Sequence, residues 1–362
     1  MRSCRDAELI SNYGMNLPGH VALCFCVRDC APYLPSVFAN IDDLRESIPG
    51  VRLTCVFVYD NCTDGSEALL MNYRSQRPDI IVETIPNPSP LRTVRIANAR
   101  NACLDNLDRL GSVEYHAMID CDDKGAGQWD IEVIRDALSS PDDWDCLTFD
   151  RKVYYDTWAL LFGGFTQHSW GFQRARSPGF MLMHRIDARV NALMQAEIRR
   201  ELNESQTHTI EVVSAFNGFA IYKTRRFRGL RYDGHASAFN RLYSEPSRRL
   251  LEKGLLYKYG LDTRCVPDGV GGNGEACEHL FYNVLAHRRG CKIKISKSIV
   301  CDDPPRSVPP MVNRGESISK SPPLPESAVP SHPTISWKMK GWGSRNAGEG
   351  LQFISHINAH AS

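Results

Sequence analysis

Short apolar runs alternate with helical stripes over the first 150 residues, and no other feature limits the fold as much. Val21–Val27 is a continuous apolar run, the pattern of a strand buried on both faces. From Pro35 to Ile48, residues Val37, Phe38, Ile41 and Leu44 fall at helical spacing, and Pro49-Gly50 ends the pattern. Val51–Tyr59 is a second buried strand, Ser66–Ser75 a helix and Ile80–Ile85 a third strand. After a loop from Pro86 to Pro90, a helix runs from Thr93 to about Leu110. Its apolar stripe is Ile96, Ala99, Cys103, Leu107 and Leu110. Val113–Ile119 is the fourth strand. Strands separated by helices imply a mostly parallel α/β sheet with right-handed crossovers.

Ligands of such sheets bind beyond the carboxyl ends of the strands. Asp29, Asp60 and Asp120 each lie just past an expected strand end, so the topology gathers them on one edge. The fourth strand delivers the densest feature, Asp120-Cys121-Asp122-Asp123. Carboxylates packed this closely repel one another, and burying them unpaired is costly. A hard divalent cation, Mn²⁺ or Mg²⁺, relieves both problems and shares its remaining positions with water and substrate phosphates. Against this stands the bland reading of a solvated acidic turn.

The second half is more mixed. Expected elements are a helix at Trp129–Leu138, a strand at Cys146–Phe149, a long helix at Ile186–Leu202 and a strand within Thr207–Tyr222. A helix at Glu275–His287 and a strand at Cys291–Ile295 follow. Residues 303–334 are dense in Pro and Ser, which disfavours a packed core. The expected organisation is an extension at 1–17, two halves of one domain at 18–150 and 151–302, and a flexible tail at 303–362.

Bulk properties exclude some classes. With 43 basic and 42 acidic residues the chain carries no broad polyanion-binding charge, so no nucleic-acid partner is expected. No signal peptide and no transmembrane segment is visible, which predicts a cytoplasmic protein. The 13 cysteines form no paired Cys-x-x-Cys elements, and Cys24, Cys26 and Cys55 sit in strand-like runs, consistent with a reducing compartment. Cys277, Cys291 and Cys301 leave a late disulfide open.

Four segments together resemble the nucleotide-sugar glycosyltransferases of the GT-A fold. They are Arg28-Asp29 after the first strand, Tyr59 to Ser66 after the second, Arg92 to Asn101 before the acidic strand, and the Asp-x-Asp of Asp120-Cys121-Asp122. Tyr154 to Trp158, Phe216-Asn217-Gly218 and Cys277-Glu278-His279 are similar to acceptor-side segments of fungal capsule-type mannosyltransferases and of glycosyltransferases of large DNA viruses. The resemblance implies a GT-A-like domain, with 18–150 its nucleotide-sugar-binding half and 151–302 its acceptor-binding half, and a metal-dependent hexosyl- or pentosyltransferase. It would move a sugar from a nucleoside-diphosphate donor to a hydroxyl of a glycan or protein.

Roles follow from the resemblance and from chemistry. Arg28 is expected to bind the nucleotide sugar, and Arg92 and Arg95 its phosphates, aided by the free amides of a helix start. Asp60 would accept from base or ribose, or serve only as a turn residue. Asp122 is the expected metal ligand, with Asp120 on ribose or, through water, on the metal. His279 would complete the metal site, and Glu278 would be the general base, unless they are only a helix-start acid and a buried histidine. Trp158 and Asn217 are candidates for the acceptor side. The rivals are a nucleotidyltransferase and a non-catalytic glycan-binding protein on a decayed transferase fold. The first would place glycine after the first strand, where this chain reads Val27-Arg28-Asp29-Cys30-Ala31-Pro32.

Overall fold

The computed structural model describes residues 17–139, 143–162, 165–166, 180–243 and 274–301, with side chains from 191 in the long helix. In chain order the elements are β1 (His20–Val27), α1 (Leu34–Ser47), β2 (Arg52–Tyr59), α2 (Ser66–Ser75), β3 (Ile80–Thr84), α3 (Arg92–Leu110) and β4 (Tyr115–Asp120). They continue with α4 (Ile131–Ser139), β5 (Cys146–Asp150), β6 (Leu161–Phe162), β7 (Phe165–Thr166), α5 (Phe180–Glu204) and β8 (Thr209–Val212). The last are β9 (Phe219–Lys223), α6 (Thr224–Phe227), α7 (Ala236–Asn240), α8 (Glu278–Arg288) and β10 (Ile293–Ile299).

Among the described residues eight strands form one sheet, in the order β3-β2-β1-β4-β9-β5-β10-β8. The pairs β3–β2, β2–β1, β1–β4 and β5–β10 are parallel. Strand β9 runs antiparallel between β4 and β5, and β8 runs antiparallel on the far edge. The protein is thus a mixed α/β fold with a mostly parallel sheet flanked by helices. Residues on both sides of position 150 share that sheet.

Both faces of the central strands are covered, which is why they read as unbroken apolar runs. Ala22 and Cys24 of β1 join the core with Ala97, Cys103 and Leu107 of α3. Phe25 stacks on Phe57 of β2 at 4.6 Å, and Phe38 of α1 meets Phe57 edge-on at 5.9 Å. Helix α1 buries Leu34, Val37, Asn40, Ile41 and Leu44, so three of the four expected stripe residues are buried and Phe38 is half-buried. The buried side of α3 is broader than the stripe read from sequence: Ile96 and Leu110 are only half-buried, whereas Thr93, Val94 and Arg100 are buried.

Cys277, Cys291 and Cys301 are buried free thiols, so no late disulfide links them. Among the described residues no helix is long and apolar enough to cross a membrane. The described residues all belong to a unit ending at Pro305. All of the extension but Leu17, the tail, the pieces Trp337–Trp342 and Leu351–Ile357, Trp170 and the glycine-rich stretch 269–274 up to Gly274 lie outside the described residues.

Candidate active site

The parallel register brings the ends of β1, β2 and β4 to one edge, with Cys26 opposite Asp120 and Val27 opposite Tyr59. Asp29 and Asn61, two positions past their strands, both adopt positive φ, 51° and 43°. Such backbone is uncommon for a non-glycine residue and clusters at functional turns. The two turns are tied together. Asp29 Oδ1 accepts from the Thr63 amide at 2.7 Å, Asp64 Oδ2 from the Ala31 amide at 2.8 Å, and Ser66 Oγ from the Cys30 amide at 2.8 Å. Much of the Asp60 to Ser66 turn is therefore internal lacing. Asp60 is the exception: its Oδ2 is buried without a hydrogen bond, and Arg28 Nη1 pairs with it from 3.6 Å. A buried acceptor in this state has hydrogen-bonding capacity to give to a ligand.

Beyond β4 the chain turns sharply. The Lys124 amide donates to Asp122 Oδ1 at 2.9 Å, and Gly125 lies directly on the Asp120 carbonyl. A Cβ on Gly125 would sit 1.6 Å from that oxygen, so only glycine fits. Asp122 is half-buried, and burial, then the charges of Asp120 and Asp123, push its carboxyl up to about 7. Asp123 is half-exposed and pairs with Lys124 at 3.2 Å. Asp120 is held on both oxygens: Arg100 Nη2 lies 3.3 Å from Oδ1 and the Tyr155 hydroxyl donates to Oδ2 at 2.9 Å.

Arg100 is the residue that sequence reasoning missed. It is 4% exposed, and its Nε donates to Glu278 Oε1 at 3.1 Å, so it bridges Glu278 and Asp120. Its guanidinium lies over the Phe216 ring, 4.6 Å from the centroid. Burial opposes its charge, but Glu278, Cys26 and Asp120 more than offset that and hold it well above the ordinary range. The available signal was a charged residue between Ile96 and Cys103, inside an apolar helix face.

Asp156 was also missed. It is half-buried, and burial, then the charges of Asp120 and Glu278, push its carboxyl up to about 7. The loop that carries it is fixed by Asn217, whose Oδ1 accepts from the Tyr155 and Asp156 amides at 3.2 and 3.4 Å. The Asn217 amide donates to the Phe149 carbonyl at 3.0 Å, and the residue is 1% exposed at φ 58°. Its polar atoms are spent on backbone, which removes it as an acceptor-binding group. Trp158 is half-buried and packs against the core.

The helix start expected to bind phosphate is already occupied. Glu275 is 1% exposed and accepts from the Thr93 amide at 3.0 Å, while Gly234 packs against the Thr93 and Val94 backbone. An internal carboxylate thus caps α3. Glu275→Ala is expected to cost about 1–2 kcal/mol, the worth of a strong cap, in a denaturation midpoint measured at constant slope. Arg95 does not reach out freely either: its Nη1 donates to the Ser89 carbonyl at 2.9 Å and the Pro90 carbonyl at 3.2 Å. Burial, then the charges of Arg28 and Arg92, lower its affinity for its proton. Those repulsions place three cations close together, and Arg92 is exposed and also acts on Asp122.

Glu278 and His279 begin α8, as expected, but both are buried. Glu278 is 5% exposed behind Arg100. The His279 ring stacks on Phe216 at 3.7 Å with neither nitrogen hydrogen-bonded, and burial, then Arg100, keep it neutral. Among the described residues no group of three or more His, Cys, Asp or Glu side chains is arranged to hold a metal. His279 therefore does not join Asp120 and Asp122. The oxygen set itself fits a hard cation, because burial and the charges of Asp120 and Asp123 at the Asp122 carboxyl outweigh the opposing Lys124 amide and Arg92.

No family model matches the chain, and no curated protein matches it in sequence. Solved structures do match. Staphylococcus aureus TarS aligns over 79% of this chain and 37% of its own, at 11% identity and a TM-score of 0.40. A mannosyltransferase of Pyrobaculum calidifontis, solved with GDP-mannose and Mn²⁺, aligns over 84% and 64%, at 14% identity and a TM-score of 0.37. Glucosyl-3-phosphoglycerate synthase of Mycobacterium tuberculosis, solved with UDP and Mn²⁺, aligns over 59% and 60%, at 12% identity and a TM-score of 0.33. The chain spans less than two thirds of each of these proteins. A likeness this distant carries no conclusion about the reaction.

Proposed function

We propose that the protein is a GT-A-type, metal-dependent glycosyltransferase that moves a sugar from a nucleoside-diphosphate sugar to a hydroxyl acceptor. One observation carries the reading. The acidic strand end of Asp120 and Asp122 shares an edge with Arg28, Arg92 and Arg95, and with a buried Asp60 oxygen that has no hydrogen bond. That edge offers cations for a diphosphate, oxygen donors for a metal and an acceptor for base or ribose.

Asp122 would hold Mn²⁺ or Mg²⁺, with Asp120 as a second donor directly or through water. When bound, the cation supplies Lewis-acid neutralisation of charge on the departing diphosphate. Arg92 and Arg28 contact the phosphates, and Arg95 shapes the loop beside them. Arg100 and Tyr155 keep the Asp120 carboxylate oriented. Phe216 and Tyr232 flank the Arg100 guanidinium and keep water from it.

Calorimetric titration with UDP and with GDP, each with and without Mn²⁺, tests the reading. Binding of at least one nucleotide is expected to tighten tenfold or more with Mn²⁺. Equal affinity with metal and with chelator would count against a metal–diphosphate site.

A further inference from the structure

Asp120, Asp122, Asp156 and Glu278 are not equally free to meet an acceptor. Asp122 would hold the metal. Asp120 has both oxygens engaged, by Arg100 and by Tyr155. Glu278 is buried behind the Arg100 guanidinium that holds its Oε1. Asp156 differs from all three. Among the described residues its Oδ1 accepts only the Ala159 amide, at 3.3 Å, and its Oδ2 accepts no hydrogen bond. It is half-buried, and the loop that carries it abuts Asp120: its neighbour Tyr155 donates to Asp120 Oδ2 at 2.9 Å, and Asn217, which holds its amide, precedes Gly218, whose carbonyl accepts from the Asp120 amide at 3.0 Å. Its backbone is also rigidly held. Asn217 fixes its amide, Gln195 Nε2 donates to the Tyr154 carbonyl at 2.8 Å, and Thr157 Oγ1 donates to Asn191 at 2.6 Å. A base must reach the proton it removes and must be held there by its supports.

Resting on the transferase reading, we propose that Asp156 is the catalytic base, taking the proton of the acceptor hydroxyl during transfer. The acceptor oxygen forms a bond to the anomeric carbon. The bond from that carbon to the diphosphate oxygen breaks, and its electron pair leaves with the nucleoside diphosphate. The hydroxyl proton passes to an Asp156 oxygen and then to water. Glu278, in this arrangement, anchors Arg100 and never meets the acceptor.

The test uses the full chain with Mn²⁺ and either UDP-glucose or GDP-mannose, water serving as acceptor, and reads release of nucleoside diphosphate. Asp156→Asn keeps the side-chain oxygen that meets the Ala159 amide. It is expected to lower release by roughly 10²–10⁴-fold, the worth of a positioned base. Nucleotide binding should not change, and the unfolding midpoint should not fall; near pH 7 it should rise, because the amide has no buried charge to carry. Azide attacks the same carbon with no proton to lose, so adding azide should recover release in Asp156→Asn and yield a glycosyl azide. Asp156→Glu, which retains a carboxylate, should keep part of the water-dependent rate.

Release by Asp156→Asn within tenfold of wild type overturns the assignment. So does a loss that azide fails to recover while nucleotide binding stays intact, because that marks a positional role. A wild-type protein that releases nothing from either donor and binds neither nucleotide overturns the transferase reading and this proposal together. An active wild type with an equally active variant overturns only the base.

Discussion

Arg100→Met should lower the unfolding free energy by about 3–5 kcal/mol, the usual cost of removing one partner from a buried ion pair. The guanidinium is buried and meets two carboxylates, Glu278 at 3.1 Å and Asp120 at 3.3 Å. Methionine fills much of the same volume and keeps contact with the Phe216 face. The loss therefore comes chiefly from charge left behind: Glu278 is buried and has no second cation among its hydrogen-bond partners in the described residues. Arg100→Met/Glu278→Gln should recover part of the loss, since the amide removes that charge. Neighbours in one network couple by about 0.5–3 kcal/mol, so the recovery should be readable in a double-mutant cycle. Additive single losses, or a nearly neutral Arg100→Met, would show that this pair does not anchor α3 to α8.

How far the sequence could be read depends on which interactions are local. The strands and helices of the first half were legible because each is a self-contained periodic pattern, and Ser66–Ser75 matches residue for residue. The gathering of Asp60 and Asp120 on one edge followed from parallel order alone. The reversal of β9 was not legible, because strand direction is set by pairing with β4 and β5 rather than by composition. The same limit applies in the site. Glu275 caps a helix 182 residues away in sequence, and Arg100 reaches Glu278 across 178. A carboxylate near a glycine-rich stretch gives no local sign that it closes a distant helix. Hence the α3 start was read as open to phosphate, and Glu278 as open to an acceptor, when both were already partnered. Asn217 failed for a related reason: its left-handed backbone and buried amide serve the neighbouring loop, a role that spacing alone does not reveal.

Asp122→Asn is the substitution with the largest expected effect on activity, and its effect on stability should have the opposite sign. Unlike Asp120, whose two oxygens are held by Arg100 and Tyr155, the Asp122 carboxylate accepts only the Lys124 amide among the described residues. Losing it should remove most metal-dependent nucleotide binding and lower turnover by roughly 10²–10³-fold or more, the cost of deleting one preorganised electrostatic contact. In metal-free protein the same carboxylate is a burden. Burial, with Asp120 and Asp123, pushes it up to about 7, against about 3.9 for an unfolded aspartate. Between about pH 4 and pH 7 the folded chain therefore holds a proton that the unfolded chain has released. Stability in chelator falls as pH rises through that window and levels off above it. Asp156, also pushed up to about 7, adds a contribution of the same sign. Asp122→Asn has no proton to lose, so in chelator it should be more stable than wild type at pH 7 and indistinguishable from it near pH 4. Mn²⁺ should stabilise the wild type at pH 7 and leave the variant unchanged, because a ligand stabilises only the state that binds it. Denaturation curves at the two pH values, each with Mn²⁺ and with chelator, measure all of this. A variant that gains no stability at pH 7 and still responds to Mn²⁺ would mean that the metal, if the protein uses one, is held elsewhere than at Asp122.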